Sequence, residues 1–248
     1  LQEDDQIQTA LRRIQMKLRL KNIPHCIECF DISLMQGEAA VGSQVVFVNG
    51  KAKKECYRSY NIRSHHEGND DFLMMYEVLK RRLESGLKEN NLPDLIILDG
   101  GKGQLSAVLR VFDELQIQTI DIVALAKARF QSESEQGNLH FSQERVFLPH
   151  VKDPVTIKSG TKEYRLITSI RNEAHRFAIT HHRKQREKRQ IQREILQIPG
   201  LGKKKEKLLL LHFGSIKKMK TAKYDELCAI SGISLSLAKR IFEYIHSE

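Results

Sequence analysis

The stretch Leu95-Ile96-Ile97-Leu98-Asp99-Gly100-Gly101 places a carboxylate at the end of an apolar run. Four consecutive aliphatic residues, introduced by Pro93, are typical of a fully buried β-strand. An aspartate is costly inside an apolar core, but it is well placed beyond the carboxyl end of a strand, where α/β sheets bind ligands. The stretch therefore predicts an α/β sheet with Asp99 in a cleft at its edge.

A second carboxylate, Asp31, lies in the stretch Cys29-Phe30-Asp31-Ile32-Ser33, within the first predicted strand. Two more strands follow through short turns, and Asn49-Gly50 is a strong two-residue hairpin signal. These three strands, predicted at 27–34, 41–48 and 55–62, form an antiparallel meander.

The next part of the chain alternates between helix and strand, which requires parallel pairing. A helix to about Ser85 leads to the strand that ends at Asp99; a helix at 104–115 and a strand at 120–126 follow. After a polar stretch with a short strand at 146–148, a helix from Lys162 closes the sheet. This order predicts the ribonuclease-H-like α/β fold, a mixed sheet in which the first and fourth strands lie side by side. Asp31 and Asp99 are then neighbours.

The composition describes a soluble globular protein, with 40% hydrophobic and 29% charged residues among 248. The longest apolar runs, such as Leu208 to Leu211, are far shorter than the roughly 18 residues that span a bilayer. No signal peptide is recognisable, and Leu1 in place of Met indicates a fragment of a longer chain. Four cysteines favour a reducing compartment, hence the cytoplasm. The lone pair Cys26-x-x-Cys29 lacks the second pair that a zinc finger needs.

A formal net charge of +10 favours a polyanionic partner, most simply DNA. The excess is concentrated between Arg176 and Lys207, where eleven Lys and Arg residues face three Glu, a net of +8.

The C-terminal part predicts a small all-α domain of two helix-hairpin-helix units. The hairpins at 198–202 and 230–234 lie 32 residues apart, and each precedes an amphipathic helix. Their glycines allow backbone N–H groups to approach a phosphate closely, without regard to base sequence. The predicted domains are an N-terminal helical segment (1–22), the ribonuclease-H-like domain (23–188) and the tandem helix-hairpin-helix domain (189–248). The predicted DNA contacts of the last are Gly200, Gly202, Lys203, Lys204 and Lys205, with Gly232 and Ser234 forming a weaker second copy.

Two adjacent carboxylates repel unless a cation lies between them, and hard oxygen ligands suit Mg²⁺ or Mn²⁺ better than zinc. Such an ion activates water and stabilises an anionic phosphoryl transition state. The alternative is structural: Asp31 forms a salt bridge in the core, and Asp99 binds backbone amides. His175, at the border of the apolar stripe of the closing helix, is a third candidate. Lys102 opens a helix near Asp99 and is placed to meet a DNA phosphate; its glycine-rich turn fits neither a P-loop nor a dinucleotide fingerprint.

The sequence resembles the C-terminal half of the UvrC family, the nuclease subunit of bacterial nucleotide excision repair. The resemblance covers nearly the whole chain, and four motifs carry it: Glu28-Cys29-Phe30-Asp31-Ile32-Ser33, Gly68-Asn69-Asp70-Asp71, Leu98-Asp99-Gly100-Gly101-Lys102-Gly103-Gln104-Leu105 and Arg171-Asn172-Glu173-Ala174-His175-Arg176-Phe177-Ala178.

The resemblance implies a divalent-metal-dependent endonuclease that cuts on the 5′ side of a DNA lesion after UvrB has opened the duplex. It implies Asp31, Asp99 and His175 as the catalytic and metal-binding set, with His175 either a ligand or a general acid/base. We further expect Arg176 to contact DNA. A role of Asp70 and Asp71 in the site is a weaker expectation, because helix capping explains these residues equally well. Asn172 stands where the family more often has an acid, and this fragment alone is not expected to make both incisions.

Two other functions are compatible with the composition. One is a catalytically silent scaffold that docks damaged DNA or repair partners. The other is a different ribonuclease-H-like nuclease that acts on junctions or RNA–DNA hybrids.

Overall fold

The computed structural model describes residues 2–33, 40–62, 71–127, 143–196, 198, 200–213, 218–219 and 221–246. The chain forms two compact units, unit 1 from Leu1 to Thr180 and unit 2 from His181 to Glu248.

Unit 1 is built on one mixed sheet, as the sequence predicts. Its strand order is β3-β2-β1-β5-β6-β7-β8, with β4 pairing along β2. The strands β1, β2 and β4 form the antiparallel meander, whereas β1, β5 and β6 are parallel neighbours. The strands are β1 (Cys26–Ser33), β2 (Val41–Val48), β3 (Lys51–Ala52), β4 (Arg58–Asn61), β5 (Leu95–Asp99), β6 (Asp121–Lys127), β7 (Glu144–Phe147) and β8 (Val155–Ile157).

Helices cover both faces of this sheet. One face packs against α1 (Gln2–Leu18) and α4 (Lys162–Leu196), and its core includes Leu11, Ile14, Leu95, Ile97 and Ile170. The other packs against α2 (Asp71–Glu89) and α3 (Lys102–Glu114), and its core includes Phe30, Met75, Leu79, Ile96 and Leu98. The alternating sides of β1 and β5 therefore enter two separate cores.

The N-terminal helix packs within unit 1. Leu11 and Ile14 have no exposed surface and belong to the same hydrophobic cluster as Ile167 and Ile170 of α4. Segment 184–192, for which the charge pattern allows either a helix or a tether, is helical, because α4 continues to Leu196.

Several elements differ from the sequence prediction; β7, for example, covers Glu144–Phe147 in place of the predicted 146–148. The third strand is interrupted: β3 ends at Ala52, and a 3-10 turn over Lys54–Cys56, closed by the Cys56 N–H donating to Lys53 O at 3.0 Å, precedes β4. Helix α2 runs four residues further, to Glu89, and Asn90 ends it in the left-handed region at φ 52°. Helix α3 begins two residues earlier, and strand β8 is additional.

Unit 2 is all-α in its described residues, with helices α5 (Lys203–Phe213), α6 (Tyr224–Cys228) and α7 (Leu235–Ile245). Its separate hydrophobic core contains Ile198, Leu201, Leu209, Leu227, Ile230, Ile233, Leu237 and Ile241. Over the described parts of both units, no helix combines the length and the apolar character needed to cross a membrane.

Candidate metal centre and nucleic-acid interface

The register of two parallel strands brings the two aspartates together. Phe30 of β1 pairs with Leu98 of β5, so Asp31 and Asp99 follow one position later at the same end of neighbouring strands. Both lie on the face of the sheet that α4 covers, because Cys29 and Ile97, two positions before them, belong to that core. Asp31 is buried, and Asp99 is partly exposed at the rim.

Helix α4 adds an imidazole to this pair. Asp31, Asp99 and His175 each offer one ligand atom, and these atoms lie within 4.8 Å of one another. His175 is exposed, whereas Ala174 and Ala178 on the same helix are buried in the core. The helix thus packs firmly on the sheet while its histidine borders the open side of the cluster.

The surroundings of the aspartates favour a hard cation. The Ser33 hydroxyl donates a 2.7 Å hydrogen bond to Asp31 Oδ2 and so orients that carboxylate. Behind it, burial raises the pKa of the Cys29 thiol, and the charges of Asp99 and Asp31 raise it further. The one soft ligand nearby therefore stays protonated, and the available donors are oxygens and one nitrogen.

The donor set also fits such an ion in size. Two ligands that bind one Mg²⁺ ion at about 2.1 Å each lie at most about 4.2 Å apart. The observed limit of 4.8 Å is close enough that small side-chain rotations would bring all three donors onto one ion. Because His175 is exposed and Asp99 is partly exposed, the cluster borders solvent.

Two of the three glycines after Asp99 are closely packed. The Gly100 N–H donates to Leu125 O at 2.9 Å, and a β-carbon on Gly100 would lie 1.3 Å from Gln104 Oε1. A β-carbon on Gly103 would lie 2.7 Å from the ring of Phe72, whereas one on Gly101 would meet no atom within 4 Å. Gly100 and Gly103 therefore serve the close packing of α3.

A buried ion pair lies beside the cluster. Arg171, one helical turn before His175, donates to Glu144 of β7, and both residues are buried. The Arg171 charge also lowers the pKa of Cys29, against the larger effect of burial, which raises it. Sequence reasoning assigned neither residue a role: Arg171 was part of a motif only, and Glu144 fell in a polar stretch.

The two hairpins of unit 2 have the same backbone geometry. Gly200 and Gly232 have φ of 87° and 93°, a region that favours glycine. In each copy the residue after the glycine donates to the first hairpin residue, as in Leu201 N–H to Ile198 O at 3.0 Å. The equivalent bond is 3.1 Å long in the second copy, and Ser234 caps α7 at φ −76°, where no glycine is needed.

Comparison with known proteins assigns the family. The family described as "UvrC RNAse H endonuclease domain" matches residues 15–179, and the family described as "Helix-hairpin-helix motif" matches residues 194–248. The chain belongs to the UvrC family. This confirms the ribonuclease-H-like fold and the helix-hairpin-helix region that the sequence predicts.

Full-length relatives of the UvrC family are much longer than this chain. "UvrABC system protein C" of Syntrophotalea carbinolica is 46% identical over 94% of this chain but only 38% of its own length. The protein of the same name from Geotalea daltonii is 42% identical over 96% of this chain and 38% of its own. The chain therefore spans less than two fifths of the relatives that it matches.

Two predicted DNA contacts of this UvrC-family chain, Lys102 and Arg176, differ in how strongly other protein groups engage their side chains. Lys102 is exposed as the first residue of α3, and its ammonium donates to Lys152 O at 3.3 Å. Arg176 is engaged within its own helix, because it donates two 2.7 Å hydrogen bonds to Glu173. Glu173 also accepts a 2.9 Å bond from the Tyr57 hydroxyl. Arg176 is thus less available to DNA than its charge alone indicates.

The contacts predicted in unit 2 lie at the start of α5. Lys203 and Lys204 are exposed, Lys205 is partly buried, and a β-carbon on Gly202 would point into open space. Arg240, which sequence reasoning missed, lies close to Gly200: its guanidinium is 3.2 Å from the position that a β-carbon there would take. Asn69 and Asp70 lie outside the described residues, and Asp71 is the first residue of α2.

Proposed function

We propose that unit 1 is a divalent-metal-dependent DNA endonuclease and that Asp31, Asp99 and His175 are its catalytic residues. The observation that carries this proposal is the convergence of the three ligand atoms within 4.8 Å at one end of two parallel strands. Membership of the UvrC family supports a nuclease role, and the net charge of +10 supports DNA as its substrate.

The residues would divide the work as follows. Asp31 and Asp99 would hold Mg²⁺ or Mn²⁺, which when bound activates water and neutralises charge on the phosphate. Ser33 fixes the rotamer of Asp31 through its hydrogen bond. His175, on the exposed side, is either a further ligand or the group that moves a proton to or from the scissile phosphodiester. Lys102 would hold a neighbouring phosphate of the same strand.

Within excision repair, we propose the 5′ incision beside a lesion, in the bacterial cytoplasm, on DNA that UvrB has opened. The expected substrates are damaged duplex, junction or bubble DNA, and the contact with UvrB belongs to the full-length protein. Unit 2 would bind the DNA backbone through its hairpins at Gly200 and Gly232 and through Lys203, Lys204 and Lys205, with no preference for base sequence.

Cleavage of defined DNA by active-site variants tests this proposal. The full chain would be incubated with nicked and bubble DNA and Mg²⁺ or Mn²⁺, next to Asp31→Asn, Asp99→Asn and His175→Ala. We expect each aspartate variant to lose on the order of 100-fold or more in rate, since each removes a charge from the ion site. A second readout is thermal unfolding: Mn²⁺ should raise the midpoint of the wild type and leave both aspartate variants unchanged.

Three outcomes would contradict the proposal. Equal cleavage by wild type and both aspartate variants would exclude the assigned site. No cleavage by the full-length protein with its partners, together with intact DNA binding, would favour the scaffold function. Faster cleavage of RNA–DNA hybrids than of bubble DNA would favour a different ribonuclease-H-like nuclease.

A further inference from the structure

A groove lined by basic side chains runs along α3. It has a volume of about 430 Å³, and α3 and the turn at 150–152 form its two walls. Four basic side chains line it: Lys102 and Arg110 from α3, and His150 and Lys152 from the turn. One carboxylate, Asp113, lines it as well, at the position along α3 furthest from Lys102.

Three of these basic side chains have no polar partner among the described residues. Within the described part of the chain, the side chains of Arg110, His150 and Lys152 make no hydrogen bond or ion pair. Elsewhere in unit 1 several basic residues are neutralised, as Arg82 is by Glu28 and Lys80 by Glu114. The groove thus carries a net positive charge, with Lys102, Arg110 and Lys152 against Asp113.

One end of the groove is close in sequence to Asp99. Lys102 lies three positions after Asp99, and its ammonium donates to Lys152 O, which joins the two walls at this end. Lys102, Ser106 and Arg110 follow at four-residue spacing, so they lie on one side of α3. Eight residues of helix cover about 12 Å. This length matches roughly three to four nucleotides of a strand at about 3.4 Å each.

The lining also suits a nucleic-acid strand better than a free anion. Leu109 and Val151 contribute apolar surface between the charges, and Val151 is 38% exposed. A small anion gains nothing from such surface, whereas the sugars and bases of a strand do. An elongated site with separated cations likewise fits a chain of phosphates better than a single one.

We propose that this α3 groove binds the backbone of the DNA strand that enters or leaves the aspartate cluster. The inference rests on the proposed nuclease function for the identity of the strand, but it predicts binding independently of cleavage. Arg110, His150 and Lys152 are its new contact residues. The groove would hold roughly three to four nucleotides on one side of the scissile phosphate.

Binding without divalent metal tests the groove separately from catalysis. Fluorescence anisotropy with single-stranded and bubble DNA in EDTA would use the full chain carrying Lys203→Ala and Lys204→Ala, so that unit 2 does not mask the effect. Adding Arg110→Ala and Lys152→Ala should weaken binding about 10-fold at low salt. The slope of log K against log salt should fall by about 1.4, because each contact to a single-stranded phosphate contributes roughly 0.7.

Two matched variants sharpen the test. Arg12→Ala with Lys88→Ala removes two exposed charges from α1 and α2 and should leave binding unchanged within about twofold. Asp113→Asn removes the one acid of the groove and should tighten binding roughly two- to threefold. Equal affinity and equal salt slope for the groove variant and the control variant would overturn the proposal. The proposal would also be overturned if the groove variant bound DNA normally but no longer bound an acidic polypeptide. That result would assign the groove to a protein partner.

If wild type and variants bind as expected but nothing is cleaved, the groove stands and the nuclease proposal fails. If cleavage depends on Asp31 and Asp99 but the groove variant binds and cuts normally, the nuclease proposal stands and the groove fails.

Discussion

The buried ion pair of Arg171 and Glu144 contributes more to the placement of α4 than to the stability of the fold. The two side chains are 9% and 4% exposed, so both have lost most of their hydration. A buried ion pair adds little net stability over apolar residues of similar volume. It does join α4 to β7 one helical turn from His175, and so it fixes that helix relative to the aspartates.

Removing one partner of this pair should be costly. Arg171→Ala leaves Glu144 buried and uncompensated, and we expect a loss of about 3–5 kcal/mol in the free energy of unfolding, measured in urea. The double change Arg171→Met with Glu144→Leu should recover most of that loss, because no charge then remains buried. A single-variant loss below about 1 kcal/mol would show that the pair is solvated.

The contacts of Glu173 predict a specific dependence on pH. Two hydrogen bonds from Arg176 lower the pKa of Glu173 below 4.5, and the Tyr57 hydroxyl lowers it further. Because the pKa is lower in the folded state, the stabilisation is complete above pH 4.5 and is lost as the pH falls through the folded value.

We therefore expect Glu173→Gln to lower the thermal midpoint at about pH 7 and to approach the wild type as the pH falls further below 4.5. Thermal unfolding at about pH 7, 5 and 3.5 measures this. Glu77→Gln, which loses a 3.4 Å contact with Arg81 within α2, is the control for removing a helical carboxylate. A difference between wild type and Glu173→Gln that stays constant over the whole range would contradict the assigned pKa.

Residues differ in how far the sequence reveals them. Asp31 and Asp99 are conspicuous because each interrupts an apolar strand. The pair of Glu173 and Arg176 has the i, i+3 spacing of a helical ion pair and is readable from sequence, although we assigned Arg176 to DNA. Arg171 and Glu144 are not readable, because 27 positions separate them and no local pattern links them.

Among the elements, the hairpin between β2 and β3 has the clearest physical cause. Asn49 and Gly50 have φ of 48° and 73°, the combination that a tight turn between antiparallel strands requires. The turn also packs on α1, since a β-carbon on Gly50 would lie 2.3 Å from Ile7 Cγ2. Gly50 thus serves both the turn and the contact with the N-terminal helix.

Gly50→Ala should therefore destabilise unit 1 by about 2 kcal/mol, from backbone strain and overpacking against Ile7. Gly160→Ala is a matched control: its φ is 84°, but no atom lies within 4 Å of its β-carbon position, so only the strain applies. Urea unfolding of both variants separates the two costs. Equal losses would show that Ile7 moves aside without cost.

Strands were predictable from the sequence where an apolar segment is bounded by residues that favour turns. The strands β1, β2, β5 and β6 are long and apolar, and the sequence locates each within about one residue. Strands β7 and β8 have only four and three residues. The sequence predicts a strand at 146–148, which overlaps the end of β7, but it does not predict β8. Both strands exist because β6 offers a free edge for pairing, a tertiary cause that no local window contains.

At the scale of the whole molecule, charge is distributed between two units with separate cores. Replacing Lys203, Lys204 and Lys205 by Ala should weaken binding to all duplex sequences alike, because hairpin contacts reach phosphates only. The slope of log K against log salt should fall by about 2 to 3, at roughly 0.9 for each duplex phosphate contact. Titrations with three unrelated duplexes measure this, and a loss confined to one of them would contradict the assigned role.

The presence of two units was predictable in outline, since the repeated hairpin sequence and the change in composition after residue 188 both indicate a second domain. The division between the compact units falls after residue 180, within α4. A single helix can begin with an amphipathic segment and continue with a charged one. A change in composition therefore does not show where one unit ends and the next begins. The domain limits of 23–188 and 189–248 therefore remain predictions.

The parallel pairing of β1 with β5 has a consequence for how the protein folds. Asp31 and Asp99 are 68 positions apart in the chain, and His175 follows 76 positions later. Contacts between such distant segments form late, because the entropy of closing long loops is lost before the contacts form. No partly folded chain that lacks the β1–β5 pairing or a docked α4 can present the three ligands together. Any affinity of this cluster for an ion would then arise only after both of these contacts have formed.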